Sequence, residues 1–266
     1  MKIIVTGGAS GLGRALVQRL AAHEVWVLDR NAPEHLNEAH QFLALDLSDP
    51  GSIEQVLAAL PPSIDALANV AGIAAASAPE TVLAVNFLGL RALSALLVPR
   101  FSSGGRIVNV SSIAGRDWPA KYERLQPLLN TASFAEGLAW CEAHRDLLAR
   151  DPYTLSKRLV TAHTLRAAQD GIKQGYTVNC VSPGPIETPL YPQFESLMGK
   201  AQSDWTKAQT GRAATADDIA AVVDLLLTGD CGWLNGVDIP VDGGYSAGLA
   251  AGWVDFAASP LMQQRA

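Results

Sequence analysis

Charged residues are scarce in this chain, and no basic residues cluster in a run. Only 17% of its 266 residues are Asp, Glu, Lys or Arg, and the formal net charge is −6. Proteins that bind nucleic acids or anionic membranes concentrate Lys and Arg on one surface. The sequence therefore predicts neither a nucleic acid nor a membrane as a partner.

Cysteine is also sparse, with only Cys141, Cys180 and Cys231 in the chain. The three lie far apart and form no CxxC or Cys/His pattern of the kind that holds zinc. We therefore expect no metal site and no disulfide framework, but buried thiols of a cytoplasmic protein.

Long apolar runs are missing as well. We expect no stretch to reach the roughly 20 residues that a membrane-spanning helix needs, and strand-like sequence from Lys2 onward leaves no room for a signal peptide. The hydrophobic content of 48% suits a single domain over residues 1–266 with a sizeable core.

What the chain does contain is an alternation of short β-branched runs and amphipathic segments. Runs apolar on both faces, typical of buried parallel strands, cover residues 3–5, 25–28, 42–45, 64–68, 106–110 and 176–181. Amphipathic segments 14–22, 53–60 and 217–227 predict crossover helices. The pattern predicts an α/β fold of the Rossmann type, a doubly wound, mostly parallel seven-stranded sheet with helices on both faces.

A glycine-rich turn, TGGASGLG, follows the first predicted strand at residues 6–13 and precedes a helix. Glycines let the backbone approach a pyrophosphate closely, and the helix N-terminus offers free N–H groups. The spacing is G-x-x-x-G-x-G, and a turn without a ligand is the alternative interpretation.

Asp29 ends the second predicted strand, where a carboxylate can bind the adenosine ribose hydroxyls and repel a 2′-phosphate. Ser10 agrees with this, because no basic residue stands inside the turn to hold an extra phosphate. Both observations favour NAD over NADP. Arg30 is the counter-indication, and a simple surface turn is the alternative role for Asp29.

Tyr153 stands four residues before Lys157, directly after an Asp151-Pro152 pair typical of a helix start. The two side chains share a helix face, and a nearby ammonium favours a phenolate. Taken alone, such a pair is also common on ordinary exposed helices.

Polar residues end the two strands before this helix. Ser112 follows the strand 106–110 at the sheet edge where ligands bind in such folds, and Asn69 ends the strand 64–68. Asn86 falls inside the helix predicted after the strand 64–68. It is either a buried structural amide or part of a proton relay.

Six motifs together resemble the short-chain dehydrogenase/reductase family in its compact form. They are TGGASGLG, NVAG at 69–72, VN at 85–86, VSS at 110–112, YTLSK at 153–157 and SPGPIET at 182–188. They follow the family's order between Lys2 and about Gly244. One departure is Val70, where the family more often has a second asparagine.

The resemblance implies that Tyr153 is the acid-base residue, that Ser112 orients the substrate oxygen and that Asn86 holds a relay water. It implies that Lys157 lowers the pKa of the tyrosine and binds the nicotinamide ribose. The implied NAD contacts, besides Tyr153 and Lys157, are Gly7, Ser10, Gly11, Leu12, Gly13, Asp29, Arg30, Asp46, Leu47, Asn69, Ala71, Gly72, Pro183, Gly184, Ile186 and Thr188.

The implied activity is NAD(H)-dependent interconversion of a hydrophobic secondary alcohol and its ketone, such as a 3α-hydroxysteroid or another alicyclic or aryl carbonyl compound. A non-catalytic dinucleotide sensor or scaffold is one alternative, but it would predict erosion of the four catalytic positions. A nucleotide-sugar epimerase or dehydratase is another, and the glycine spacing argues against it.

The interval between Ser112 and Tyr153 is longer than in most family members. We interpret residues 113–152 as a helical insertion, because Ser133 and Glu136 form a capping-box pattern before a helix that runs to about Arg150. This layout is similar to bacterial 3α-hydroxysteroid dehydrogenase/carbonyl reductases.

Residues 185–212 are predicted to form a substrate lid, with an apolar lining that suits a hydrophobic alcohol or ketone. The tail, residues 245–266, is too apolar to lie wholly in water, so it should cover a neighbouring subunit or the pocket edge. Family members usually form homodimers or homotetramers, and the insertion could block or replace one such interface.

Overall fold

The computed structural model describes residues 1–75 and 78–263 and has one parallel seven-stranded sheet. The strand order is β3-β2-β1-β4-β5-β6-β9, and a small two-stranded sheet pairs β7 with β8. The strands are β1 Lys2–Thr6, β2 Glu24–Asp29, β3 His40–Ala44, β4 Ile64–Asn69, β5 Phe101–Val110, β6 Tyr176–Pro183, β7 Ile186–Glu187, β8 Ala214–Thr215 and β9 Asp238–Val241. The order reverses between β1 and β4, which is the switch point where doubly wound sheets bind ligands.

Helices cover both faces of the sheet, as predicted. They are α1 Gly11–Arg19, α2 Pro50–Leu57, α3 Pro79–Leu83, α4 Leu90–Leu97, α5 Trp118–Leu129, α6 Phe134–Ala143, α7 Arg145–Leu148, α8 Pro152–Gln174, α9 Tyr191–Met198, α10 Lys200–Thr210, α11 Ala216–Thr228, α12 Tyr245–Ala251 and α13 Pro260–Gln263. The predicted Rossmann-type fold is confirmed.

Two apolar cores follow from the alternation of side chains along the strands. Ile4 faces the core formed with α2, α3, α4 and α8, whereas Ile3 and Val5 face the core formed with α1 and α11. All three side chains are fully buried. The unbroken apolar runs in the sequence therefore reflect a sheet covered on both sides.

Residues 79–100 form one continuous helical segment with an irregular centre. A π-helical turn, Ala84–Gly89, joins α3 to α4, and a short 3₁₀ turn ends the segment. By length and composition this segment could cross a bilayer, contrary to the expectation from sequence, although 61% of its most apolar stretch is buried inside the protein. Its apolar side chains here fill the core against the sheet.

The insertion contains more helices than the sequence predicted. Helix α5 was missed entirely, and the single helix expected to reach Arg150 ends at Ala143. His144 leaves helical geometry at φ −123°, and the short α7 follows it. Ser133 does accept from the Glu136 N–H, but the Glu136 carboxylate accepts from Ala132, so the predicted capping box is only half formed.

Polar anchors tie the insertion to the helices beneath it. The Arg91 guanidinium on α4 donates to the Leu128 carbonyl at 3.3 Å and the Thr131 hydroxyl at 2.9 Å. Arg158 on α8 forms two bonds to the Asp117 carboxylate, at 2.6 and 2.7 Å. The insertion thus covers the outer surfaces of α4 and α8 within the same chain.

The lid and the tail pack against each other. Trp205 on α10 makes edge contacts with Tyr245 and Phe256 of the tail, with ring centroids 6.3 Å apart in each pair. The Leu261 N–H donates to the Gln202 side chain at 3.0 Å. The described part of the tail therefore covers the lid of its own chain; its last three residues, 264–266, lie outside the described residues.

Candidate active site

The glycine turn has the backbone geometry that a pyrophosphate needs. Gly7 and Gly11 have φ of 70° and 50°, a region that side chains disfavour. Helix α1 starts at Gly11, and Ser10 makes no side-chain cap, so the first N–H groups of the helix are free for an anion. Leu12 and Gly13 are buried in the first turn and hold the helix against β1.

A side chain at position 13 should strongly destabilise the glycine turn. A Cβ there would lie 2.0 Å from the Gly7 carbonyl oxygen. We expect Gly13→Ala to cost about 1–3 kcal/mol in the free energy of unfolding and to abolish measurable dinucleotide binding. Thermal unfolding and calorimetric titration measure both, with Gly232→Ala as the control because its Cβ meets nothing within 4 Å. An unchanged affinity in the Gly13 variant would contradict the assignment of the turn.

Asp29 lies beside this turn at the end of β2. One carboxylate oxygen accepts from the Ala9 N–H and the other from the Asn31 N–H, both at 3.1 Å. Arg30 is exposed and forms no ion pair with an acidic side chain among the residues that the structure describes. The carboxylate is therefore fixed next to the turn, where it can serve a ribose.

Asp46 and Leu47 follow β3 at the same edge of the sheet. Asp46 accepts from both the N–H and the hydroxyl of Ser48, at 2.8 and 2.6 Å. Leu47 is buried, and its carbonyl would be 2.2 Å from a Cβ on Gly89. This close contact lets the π-helical turn approach the edge of the sheet.

The segment after β4 contacts the glycine turn through its backbone. The Ala71 N–H donates to the Thr6 hydroxyl at 3.2 Å, and a Cβ on Gly7 would clash with Ala71 at 2.7 Å. Asn69 points the other way: its amide is buried and donates to Ser94 and Asn109 at 3.0 and 2.8 Å. Only the backbone of Asn69 is therefore placed to contact a cofactor.

Asn86 lies inside the π-helical turn, a form often found at functional sites. Its side-chain oxygen accepts from the Ile73 N–H at 2.8 Å, and its amide donates to the Ile73 carbonyl and to Ser156, both at 3.0 Å. The amide thus braces the segment after β4 against α8. A relay role for Asn86 would use its backbone or the second lone pair of its side-chain oxygen.

Helix α8 delivers Tyr153 and Lys157 as predicted. Asp151 caps the helix by accepting from the Thr154 N–H at 3.0 Å, and Pro152 occupies the first turn. The Lys157 ammonium lies 5.7 Å from the Tyr153 ring centroid and donates to the Val110 carbonyl at 2.8 Å. This bond joins α8 to the end of β5.

Ser112 follows β5 and lies near the phenol of Tyr153. Its oxygen accepts from the Ala114 N–H at 3.2 Å, which leaves its own O–H free to donate. Gly72 completes the cluster, because a Cβ there would be 3.4 Å from the Asn86 side-chain oxygen and 3.6 Å from the Lys157 nitrogen. The four residues predicted to be catalytic therefore converge at one edge of the sheet.

Burial shifts both titratable groups of this cluster. It raises the pKa of Tyr153 to about 12, although hydrogen bonding with Ser112 lowers it in part. Burial also lowers the pKa of Lys157 to about 8. Lys157 was expected to lower the pKa of the phenol, but the net shift runs upward, because burial and the Asp151 carboxylate raise this pKa more than hydrogen bonding with Ser112 lowers it.

The end of β6 leads into the lid. Pro183 pairs with Val241, and a Cβ on Gly184 would approach Asp242 at 3.1 Å. Ile186 enters the small sheet with Ala214. Thr188 returns to the glycine turn, since a Cβ on Gly11 would lie 3.5 Å from its Cβ. These residues thus border the same cleft as the turn and Tyr153.

Two family models match consecutive parts of the chain. The one described as short chain dehydrogenase matches residues 1–123, and the one described as Enoyl-(Acyl carrier protein) reductase matches residues 122–246. Coniferyl-alcohol dehydrogenase of Pseudomonas sp. (strain HR199 / DSM 7063) is 34% identical over 248 residues, which are 92% of this chain and 96% of that enzyme. The chain belongs to the short-chain dehydrogenase/reductase family.

Solved structures agree with membership of this family. The 3-alpha-hydroxysteroid dehydrogenase from Pseudomonas sp. B-0831, complexed with NADH, has a TM-score of 0.76 and 28% identity, covering 94% of this chain and 99% of that one. A short chain dehydrogenase from Burkholderia cenocepacia J2315, in complex with NADP, has a TM-score of 0.70 and 23% identity, with 92% and 97% covered. The second likeness concerns the fold alone.

Several residues that support the short-chain dehydrogenase/reductase site went unassigned in the sequence. Ser156 is fully buried and links Asn86 to the Tyr153 carbonyl, which it contacts at 2.7 Å. Ser111 donates to the Lys157 carbonyl at 3.0 Å. Small polar residues beside the two motifs could have suggested these roles, but their partners are distant in sequence.

Proposed function

We propose that this short-chain dehydrogenase/reductase is an NAD(H)-dependent oxidoreductase that interconverts a hydrophobic, ring-bearing alcohol and its carbonyl compound. The observation that carries the proposal is the meeting of Tyr153, Ser112 and Lys157 beside the glycine turn. Tyr153 can move a proton, Ser112 can donate to a substrate oxygen, and Lys157 brings positive charge.

A nicotinamide dinucleotide fits the residues present. The positive-φ glycines and the uncapped start of α1 form a cradle for the pyrophosphate. Asp29 would hold the adenosine ribose, and Lys157 would hold the nicotinamide ribose with the two ammonium protons that Val110 leaves free. When bound, the dinucleotide supplies the hydride chemistry that no side chain can provide.

The remaining steps belong to the chain's own side chains. In oxidation Tyr153 accepts the proton of the substrate hydroxyl, and in reduction it returns a proton to the carbonyl oxygen. Ser112 donates to that oxygen and stabilises negative charge as it develops. The Lys157 ammonium, 5.7 Å from the Tyr153 ring centroid, is close enough to favour the phenolate form. Hydrogen bonding with Ser112 acts in the same direction, against the burial that raises the pKa of Tyr153.

The preference for NAD over NADP rests on Asp29, because a 2′-phosphate would meet its carboxylate. We expect Asp29→Ser to weaken NADH binding at least about tenfold, since hydrogen bonds to a charged group contribute about 1.5–3 kcal/mol, and to leave NADPH binding unchanged or stronger. Fluorescence titration with both cofactors measures this. Arg30→Ser is the matched variant. If the unaltered chain prefers NADPH and Arg30→Ser abolishes that preference, the assignment of Asp29 is wrong.

The lid supports a hydrophobic substrate, because Phe194 brings an aromatic ring against Tyr153. The relatives named above act, by their names, on an aryl-substituted alcohol and on hydroxysteroids. NADH formation should therefore be tested with coniferyl alcohol, 3α-hydroxysteroids and alicyclic alcohols, which also separates primary from secondary carbinols. Tight NADH binding without turnover of any of them would favour the dinucleotide sensor instead.

We further propose that the enzyme works in the cytoplasm as a homodimer or homotetramer. The insertion occupies the outer surfaces of α4 and α8, so contacts between subunits would use other faces. Trp233 is fully exposed and supports such a contact, because a large isolated aromatic side chain gains by burial. Light scattering of the purified chain tests the proposal, and a monomeric mass would reject it.

A further inference from the structure

Phe194 of the lid packs directly on Tyr153. The two ring centroids lie 4.8 Å apart with an interplanar angle of 69°, an edge-to-face contact. Phe194 belongs to α9 and follows Tyr153 of α8 by 41 residues in the sequence. The contact therefore joins the lid to the residue that moves the proton.

The reaction requires this place to be cleared. An acid-base residue must come within about 2.6–3.2 Å of the oxygen that it protonates or deprotonates. With the substrate oxygen at the Tyr153 hydroxyl, the apolar part of the substrate would fall beside the phenol ring, on which Phe194 packs. Phe194 and a substrate ring would then compete for one place.

Helix α9 is built to move, whereas α10 is held. No residue of α9 is buried, and Gly199, with φ of 82°, separates the two helices. The tail holds α10 through Trp205 and Gln202. The side-chain link from α9 to α10 runs through Tyr191, whose hydroxyl lies 2.5 Å from that of Ser203 and whose ring centroid lies 4.6 Å from the Lys207 nitrogen. Tyr191 stands at the start of α9, so the Phe194 end of the helix can be displaced while this link and α10 stay in place.

The side of α9 that carries Phe194 is more apolar than its present contacts require. Leu197 and Met198 lie three and four residues after Phe194 and so share its side of the helix. They are 58% and 40% exposed, although both are large and apolar. Phe194, Leu197 and Met198 therefore present more apolar surface than Tyr153 alone can cover.

We propose that Phe194 determines substrate specificity by holding, in the ligand-free chain, the place that a six-membered substrate ring takes beside Tyr153. The displaced Phe194, with Leu197 and Met198, then covers that ring. The inference rests on the proposed function and makes it narrower: the carbinol carbon of the substrate belongs to a six-membered ring or lies close to one. An acyclic chain would fill the same place poorly.

Phe194→Ala tests this role with two substrates. They are the best ring-bearing alcohol of the panel and an acyclic alcohol with the same number of carbons. We expect KM for the ring-bearing alcohol to rise about tenfold, as loss of an aromatic contact and its buried area implies, with a smaller change in kcat. KM for the acyclic alcohol should stay the same or fall. Leu225→Ala, which removes an exposed leucine of α11, should change neither value.

A second measurement does not depend on turnover. Phe194 shields the Tyr153 ring, so Phe194→Ala should speed nitration of Tyr153 by tetranitromethane at least several-fold, as followed by peptide mass spectrometry. Nitration of Tyr122, on α5, serves as the internal reference. An unchanged nitration rate, or KM values that rise in parallel for both alcohols, would overturn the role of Phe194. Failure of the unaltered chain to oxidise any alcohol would overturn the proposed function instead.

Discussion

Tyr153→Phe should reduce kcat about 10³-fold in both directions, which is within the range that general acid-base catalysis contributes. The variant loses one hydroxyl and keeps the ring on which Phe194 packs. Asp151, Pro152 and the Lys157 bond to Val110 remain, so the start of α8 should keep its geometry. NADH affinity and the melting temperature should therefore change little. Steady-state kinetics, fluorescence titration and thermal unfolding measure the three quantities.

Tyr122→Phe is the matched control, because it removes a phenol from the insertion, where Tyr122 contacts Trp118 edge to face. It should retain full activity. If Tyr153→Phe kept most of its activity, Tyr153 could not be the proton donor and acceptor, and another group would have to be sought around Ser112.

The strands and the cofactor turn could be predicted because their signals are local. Buried parallel strands need apolar residues on both faces, and that pattern located Ile3, Val5 and their counterparts in the other five strands. The Asp151-Pro152 start of α8 is equally local, since its cap involves residues three positions apart. Such features depend on neighbours in sequence and can be inferred without the fold.

The insertion and the lid could not be predicted to the same depth, because their structure depends on distant partners. Helix α5 carries proline at position 127 and a weak amphipathic pattern, and it is held by Arg91 and Arg158 of other helices. The Phe194 contact with Tyr153 likewise requires the lid to fold back over α8. Neither partner could be identified from the spacing of residues.

The net pKa shift of Tyr153 could not be predicted from the sequence for a related reason. The sequence places Lys157 on the same helix face and indicates an attractive charge, but it does not show how deeply both groups are buried. Desolvation raises the pKa of the phenol to about 12 and lowers the pKa of the ammonium to about 8. Burial opposes the charged form of each group, so it acts against both members of the pair.

Lys157→Met should lower kcat for alcohol oxidation about 10²-fold at neutral pH, by the loss of one charge that favours the phenolate. Oxidation needs Tyr153 as phenolate, so its rate should rise with pH while the phenol is still protonated. Removing the ammonium raises the pKa of the phenol further, and this rising limb should move to higher pH. Reduction needs the neutral phenol and should lose less activity.

The pH profile separates this electrostatic role from a structural one. In a titration of the purified chain without cofactor, proton release should show a group with a pKa of about 8, which is Lys157. Lys157→Met should lack this transition. Lys173→Met, which removes an exposed lysine from the same helix, should keep both the transition and the rate. If Lys157→Met lowered the rate equally at every pH, the ammonium would serve only to join α8 to β5 through Val110, and the charge would have no part in activating Tyr153.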